Sequence, residues 1–270
     1  MEYVHRIVDF IEYLDSLSDS RTRGWFLVDS IYTICLIAFA YLLLVLLGPK
    51  IMEKRRPFQL KLPILIYNIA ISLVNAHICY ELYLRTTLLN FTWFCSPKIQ
   101  IANDPNVYRL ATAIWLYYIT KYIEMLDSLF FVLRKKTNQL SFLHVYHHTT
   151  MVGYSLLIVK WYPIGISYSP LMFNSGVHVV MYLYYGLSTL GPNVAKYLWW
   201  KKYLTMIQMI QFLIGMTIQV VSYATGCGFI PEWLMVVNFM FIGIFFILFG
   251  KFYVASYKKG QEDNKKAKLK

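Results

Sequence analysis

The chain has 270 residues, 58% hydrophobic, 18% aromatic and only 15% charged, and its apolar residues gather in long blocks. Such blocks exclude an ordinary soluble domain and point to an integral membrane protein; an all-α one, because open sheets leave backbone groups unpaired in lipid and no barrel-like alternation is present. The net charge of +12 would suit nucleic acid, but the basic residues collect at the ends of the apolar blocks, so no nucleic-acid partner is expected.

Residues 1–25 mix acids and bases without a compact apolar run, unlike a cleavable signal peptide. Val4, Ile7, Val8, Ile11, Leu14 and Leu17 recur at helical spacing, which predicts an amphipathic helix lying on the membrane. Blocks of the roughly 20 residues needed to cross the hydrocarbon follow near 29–48, 62–84, 108–133, 140–160, 169–190, 203–225 and 233–256. The prediction is seven transmembrane helices in a single domain, residues 1–257, then a disordered basic tail, residues 258–270. There is no internal repeat, and the loops are too short to fold alone.

Charge sets the orientation. Lys50, Lys54, Arg55, Arg56 and Lys61 follow the first block, Arg134, Lys135 and Lys136 the third, Lys196, Lys201 and Lys202 the fifth, and a run of lysines the last. Far fewer lie on the other side: Arg6, Arg21, Arg23, Arg85, Lys98, Arg109 and Lys160. The positive-inside rule then puts the C-terminus in the cytosol and the N-terminus across the membrane. Cys35 and Cys79 fall within blocks as small apolar fillers. Cys95 and Cys227 fall in two loops on the lumenal side, where they are expected to be bonded to each other. The sequon Asn90-Phe91-Thr92 shares that side, though its closeness to the membrane works against glycosylation. In the final KAKLK, Lys266 and Lys268 are spaced like a dilysine retrieval signal of endoplasmic reticulum membrane proteins.

The chemistry must lie among the helices. His144, His147 and His148 share one face of the fourth helix, because positions three and four apart align. Lys121, Glu124 and Asp127 form a stripe on the third helix, Asn174 and His178 lie four apart on the fifth, and Thr205, Gln208 and Gln211 repeat by three on the sixth. Polar residues rarely face lipid, so these stripes are expected to converge on one interior cavity. Blander readings exist: amides and hydroxyls often join helices by hydrogen bonds, and Lys121 or a histidine can simply pair with Glu124 and Asp127. A metal is another reading, as in histidine-box desaturases or hydroxylases. His5 and His77 stand apart from the cluster, which leaves a di-iron site short of ligands; no resident metal is expected. A seven-helix receptor or transporter is the reading from outside enzymology, but neither an Asp-Arg-Tyr triplet nor an Asn-Pro-x-x-Tyr run occurs. With no cysteine or serine in a nucleophile motif, imidazole is itself the candidate nucleophile, able to attack a thioester while its neighbours move protons.

Together the motifs closely resemble the fatty acid elongase (ELO) family: KxxExxD as Lys121, Glu124 and Asp127; HxxHH as His144, His147 and His148; NxxxHxxMYxYY as Asn174, His178, Met181, Tyr182, Tyr184 and Tyr185; TxxQxxQ as Thr205, Gln208 and Gln211. The resemblance extends over nearly the whole chain, including GPKIMEKRRPF and KYLWWKKYLT; Ser128 stands where the family often has threonine. It implies seven transmembrane helices, six of them an inverted barrel around a narrow acyl-chain tunnel. It also implies a condensation of acyl-CoA with malonyl-CoA that releases carbon dioxide and CoA and yields 3-oxoacyl-CoA in the endoplasmic reticulum. His147 would carry the acyl group, with His144, His148 and His178 orienting it, shuttling protons and steadying oxyanions. Asn174 and Gln208 would donate to those oxyanions, and Glu124 or Asp127 would fix an imidazole tautomer. Arg134, Lys135, Lys136, Lys201 and Lys202 would meet the CoA phosphates, with Lys121, Tyr182 and Tyr185 as further CoA-ester contacts. No permanently bound cofactor is implied. The partners implied are membrane lipid, a second copy of the chain, and the enzymes completing the cycle: 3-oxoacyl-CoA reductase, dehydratase and enoyl-CoA reductase. HVYHH and the preceding NQLSFL look more like the very-long-chain and polyunsaturated branch than the one for shorter saturated chains.

Overall fold

A computed structural model describes residues 2–95, 104–165, 168–227 and 231–258. The retrieval-like Lys266 and Lys268, and nearly all of the predicted basic tail, lie outside the described residues. Every regular element among those described is helical: α1 (Glu2–Ser16), α2 (Ile31–Met52), α3 (Lys61–Leu88), α4 (Pro105–Glu124), α5 (Leu126–Leu133), α6 (Phe142–Trp161), α7 (Tyr168–Ser188), a short α8 (Pro192–Ala195), α9 (Lys201–Ala224) and α10 (Glu232–Tyr253). Local chemistry accounts for the starts. Ser30 caps α2 by accepting from the Thr33 N–H, Asp104 caps α4 ahead of Pro105, and Ser141 caps α6 by accepting from the His144 N–H at 3.3 Å.

Four helices are by length and composition able to cross a membrane: α2, α3, α9, and α10 with its continuation to Tyr257. The helices α4, α6 and α7 occupy three more of the predicted blocks, and their mean hydropathy is lowered by the polar stripes they carry. Their polar faces turn inward: Lys121, Glu124, His148 and His178 are all buried. Helix α3 packs along α7 and α4, α4 against α6, α9 against α7 and α10, and α2 against α5 and α6. The core of Ile78, Leu82, Leu110, Ile114, Tyr117 and Tyr118 fills the space between α3 and α4.

The structure corrects one element. The continuous helix predicted over 108–133 is interrupted at Met125, where the ladder tightens from four-residue to three-residue bonds: the Met125 N–H donates to Tyr122 O and the Ser128 N–H to Met125 O, both at 3.1 Å. The Tyr67 hydroxyl donates to the Ile123 carbonyl at 3.3 Å. The segment KYIEMLDSLFF holds no proline or glycine and keeps its charged residues three apart, so periodicity alone could not show this joint.

The segment ahead of α2 is fastened to the far end of α6. Lys160, buried to 3% exposure, donates to Asp15 Oδ1 at 2.5 Å and to Asp29 O at 3.1 Å, while Trp161 Nε1 donates to Leu14 O at 2.9 Å. Burial tends to raise the Asp19 carboxyl, but donation from the Arg21 side chain and N–H and the Arg21 charge outweigh it and hold it below its ordinary value. Its contribution is therefore present above the ordinary carboxylate range and fades as pH falls through the lowered value. A disulfide joins Cys95 to Cys227, Cα to Cα 5.0 Å, and ties the loop after α3 to the loop after α9.

Helices α2 and α5 meet at Gly48, where a Cβ would stand 2.8 Å from Val132 Cγ1 and 3.2 Å from Cγ2. Val132 is buried and β-branched, hence poorly able to turn aside. Gly48→Ala is expected to destabilise the protein by about 1–3 kcal/mol, and Gly48→Ala with Val132→Ala to recover part of it. Thermal unfolding of the detergent-solubilised protein checks this; an unchanged midpoint for Gly48→Ala contradicts the close contact.

Candidate active site

The polar stripes converge on one cavity of about 600 Å³. Helix α6 supplies His144, His147 and His148; the α4–α5 joint supplies Glu124 and Asp127; α7 supplies Asn174, His178, Met181, Tyr182 and Tyr185; α9 supplies Thr205, Gln208 and Gln211. At the end nearest the α5–α6 connection the wall includes Arg134, Lys136, Asn138 and Gln139, together with Lys201. Phe249, Phe252 and Ser256 close it from the α10 side.

The imidazoles form a contiguous array. Ring centroids are 4.4 Å apart for His144 and His148, 5.2 Å for His147 and His148, and 6.5 Å for His147 and His178. Each end has an anchor. At one, His178 Nδ1 lies 3.2 Å from Glu124 Oε1, and Lys121 Nζ donates to both Glu124 oxygens at 2.8 and 3.0 Å. A carboxylate only accepts, so His178 carries a proton on Nδ1, and the neutral ring then keeps its lone pair on Nε2. At the other end, His144 Nε2 lies 2.8 Å from Ser128 Oγ, itself 2.9 Å from the Tyr41 hydroxyl. Asp127 accepts from the Tyr182 hydroxyl at 2.9 Å, Asn174 Oδ1 accepts from the Tyr117 hydroxyl at 2.9 Å, and Gln208 Nε2 donates to Met181 Sδ at 3.4 Å.

Not every expected contact reaches the cavity. Lys121 sits behind Glu124, 1% exposed, its ammonium 4.4 Å from the centre of the Tyr117 ring; this is the pairing that a lysine three residues before a glutamate permits. Lys135 turns away and donates to Glu53 O at 2.7 Å, and the Lys202 ammonium lies over the Tyr203 ring. Arg134, Lys136 and Lys201 are the expected cations that line the cavity. Among the described residues no three His, Cys, Asp or Glu side chains are grouped as metal ligands; Lys121 takes both Glu124 oxygens and Ser128 takes His144 Nε2. Sequence reading missed Tyr41 and Tyr117. Tyr117 lies four residues before Lys121, on the same helical face, and that spacing was the available signal. Tyr41 offered only one hydroxyl inside an otherwise apolar block.

A buried ion pair in a membrane protein is stable only while both partners remain. Glu124→Gln strands the Lys121 charge and is expected to cost about 3–5 kcal/mol, whereas Lys121→Met with Glu124→Gln removes the stranded charge and regains part of that stability. Denaturation midpoints of the three proteins provide the check; equal midpoints for the single and double variants would contradict a tightly coupled pair.

The chain is thus a helical membrane protein with a cavity lined by four histidines in the interior of its helix bundle. The family model described as ELO: GNS1/SUR4 family matches residues 26–265, and the chain belongs to that family. It is 40% identical over 252 residues to very long chain fatty acid elongase 4 of Macaca mulatta, covering 93% of this chain and 80% of that relative. It is 40% identical over 250 residues to very long chain fatty acid elongase 2 of Mus musculus, covering 93% and 84%. With very long chain fatty acid elongase 1 of Mus musculus the identity is 39% over 257 residues, covering 94% and 92%.

Proposed function

We propose that this protein is the condensing enzyme of fatty acid elongation, a 3-oxoacyl-CoA synthase that lengthens long-chain or very-long-chain acyl-CoA by two carbons. The observation that carries the reading is the array of four imidazoles lining one cavity, anchored at His178 by a buried carboxylate. His147, in the middle of that array, attacks the thioester carbonyl. The carbon–sulfur bond breaks, CoA leaves with a proton returned by a neighbouring imidazole, and an acyl-imidazole remains. Malonyl-CoA then loses carbon dioxide, and the resulting enolate attacks the acyl carbon. The carbon–carbon bond forms as the carbon–nitrogen bond to His147 breaks, and the released imidazole takes up one proton from water through its neighbours, giving 3-oxoacyl-CoA. His178 Nε2, with its tautomer fixed by Glu124, is suited to proton acceptance. Asn174, whose oxygen is engaged by Tyr117, is left to offer its NH₂ to an oxyanion, and Gln208 lines the same cavity.

The membrane setting follows the same reading. The seven blocks cross as seven helices, six forming an inverted barrel around the acyl chain, with the basic mouth of Arg134, Lys136 and Lys201 in the cytosol. CoA phosphates dock there and the N-terminus is lumenal. Retention in the endoplasmic reticulum by Lys266 and Lys268 brings the enzyme together with the reductases and dehydratase that complete the cycle. No resident cofactor enters any step, since acyl-CoA and malonyl-CoA supply all the carbon and water supplies the one proton taken up.

Purified protein incubated with carboxyl-labelled malonyl-CoA and a panel of acyl-CoAs is expected to release labelled carbon dioxide and 3-oxoacyl-CoA two carbons longer than the primer. His147→Ala is expected to lower that rate by at least about a hundredfold. Intact acyl-CoA with no carbon dioxide released across the whole panel contradicts the reading.

A further inference from the structure

His144 is held from a helix that carries none of the four motifs. Tyr41 reaches in from α2, its hydroxyl 2.9 Å from Ser128 Oγ, and Ser128 Oγ lies 2.8 Å from His144 Nε2. Tyr41 is 4% exposed and Ser128 fully buried, so water does not readily substitute for a missing partner. Counting donors fixes the direction of this chain of bonds. Among the described residues, Ser128 Oγ is the partner of the Tyr41 hydroxyl, and Tyr41 and His144 are the partners of Ser128 Oγ. If His144 Nε2 carried a proton and donated it to Ser128, Ser128 would donate to Tyr41, and the tyrosine proton would have no acceptor. If His144 and Tyr41 both donated to Ser128, the serine proton would be stranded instead. Only one order satisfies both buried hydroxyls: Tyr41 donates to Ser128, Ser128 donates to His144 Nε2, and His144, which lines the cavity, carries its proton on Nδ1 and offers it there.

We infer that Tyr41 and Ser128 are positioning residues that lock His144 in its Nδ1–H tautomer, so that His144 serves the reaction as a hydrogen-bond donor to a substrate oxygen and not as a base. The inference rests on the condensing reading for its chemistry, though the tautomer itself does not. It divides the array into two kinds of imidazole. His178 is held by a carboxylate that leaves a lone pair on Nε2, whereas His144 is held by a hydroxyl that consumes one. Proton acceptance falls to the first end and oxyanion stabilisation to the second.

The test compares full-length wild type with Ser128→Ala, Ser128→Thr and Tyr41→Phe, reading kcat and KM for both CoA esters. It adds ¹⁵N spectra of histidine-labelled protein, with His144 assigned by the signals lost in His144→Gln. Ser128→Ala is expected to lower kcat about tenfold with KM unchanged, Ser128→Thr to restore it, and Tyr41→Phe to fall between. In wild type and Ser128→Thr, His144 is expected to show a protonated Nδ1 and an unprotonated Nε2, and in Ser128→Ala a mixture of tautomers. A proton on Nε2 in wild type overturns the inference, as does Ser128→Ala turning over like wild type, or Ser128→Thr as impaired as Ser128→Ala. Should wild type make no 3-oxoacyl-CoA, the condensing reading fails, and the tautomer measurement still decides this inference.

Discussion

The site depends on one buried ion pair. Lys121 and Glu124, 1% and 0% exposed, lie on the last turn of α4, where transferring either charge alone out of water costs several kcal/mol. Contact at 2.8 and 3.0 Å to both carboxylate oxygens makes burial tolerable, and His178 takes a further position on the same carboxylate. The pair therefore joins α4 to α7 while it orients an imidazole. The helix is interrupted at Met125, between Glu124, which meets His178, and Asp127 and Ser128, which meet Tyr182 and His144.

From that point the array extends across the cavity to a second kind of anchor. A hydrogen bond to the Glu124 carboxylate fixes His178, one with the Ser128 hydroxyl fixes His144, and His148 and His147 lie between them. Outside the cavity, the Cys95–Cys227 disulfide joins the loops after α3 and α9, and the Lys160–Asp15 contact joins α6 to α1.

Much of the fold was legible because lipid leaves few options. An apolar block of about 20 residues must be a helix, and each predicted block is helical in the structure, with the third divided. The convergence of the stripes was legible for the same reason: polar groups at membrane depth have nowhere to go but inward. What escaped was the detail that depends on partners brought from other helices. Spacing placed Lys121 beside Glu124 but could not decide whether its ammonium would face a substrate or the carboxylate. Lys135 and Lys202 counted toward the basic rim, yet their directions follow from loop geometry that no periodicity encodes. Tyr41 became visible only when α2 was seen packed on α5, and the joint at Met125 only from its hydrogen bonds.

The central claim is that imidazole itself carries the acyl group. It is tested most directly by exposing the purified protein to acyl-CoA without malonyl-CoA and mapping the product by mass spectrometry after rapid quenching. The account predicts release of free CoA and one acyl group on His147, removed on later addition of malonyl-CoA. An acyl group on no histidine, in a preparation that turns over when both substrates are supplied, would contradict it.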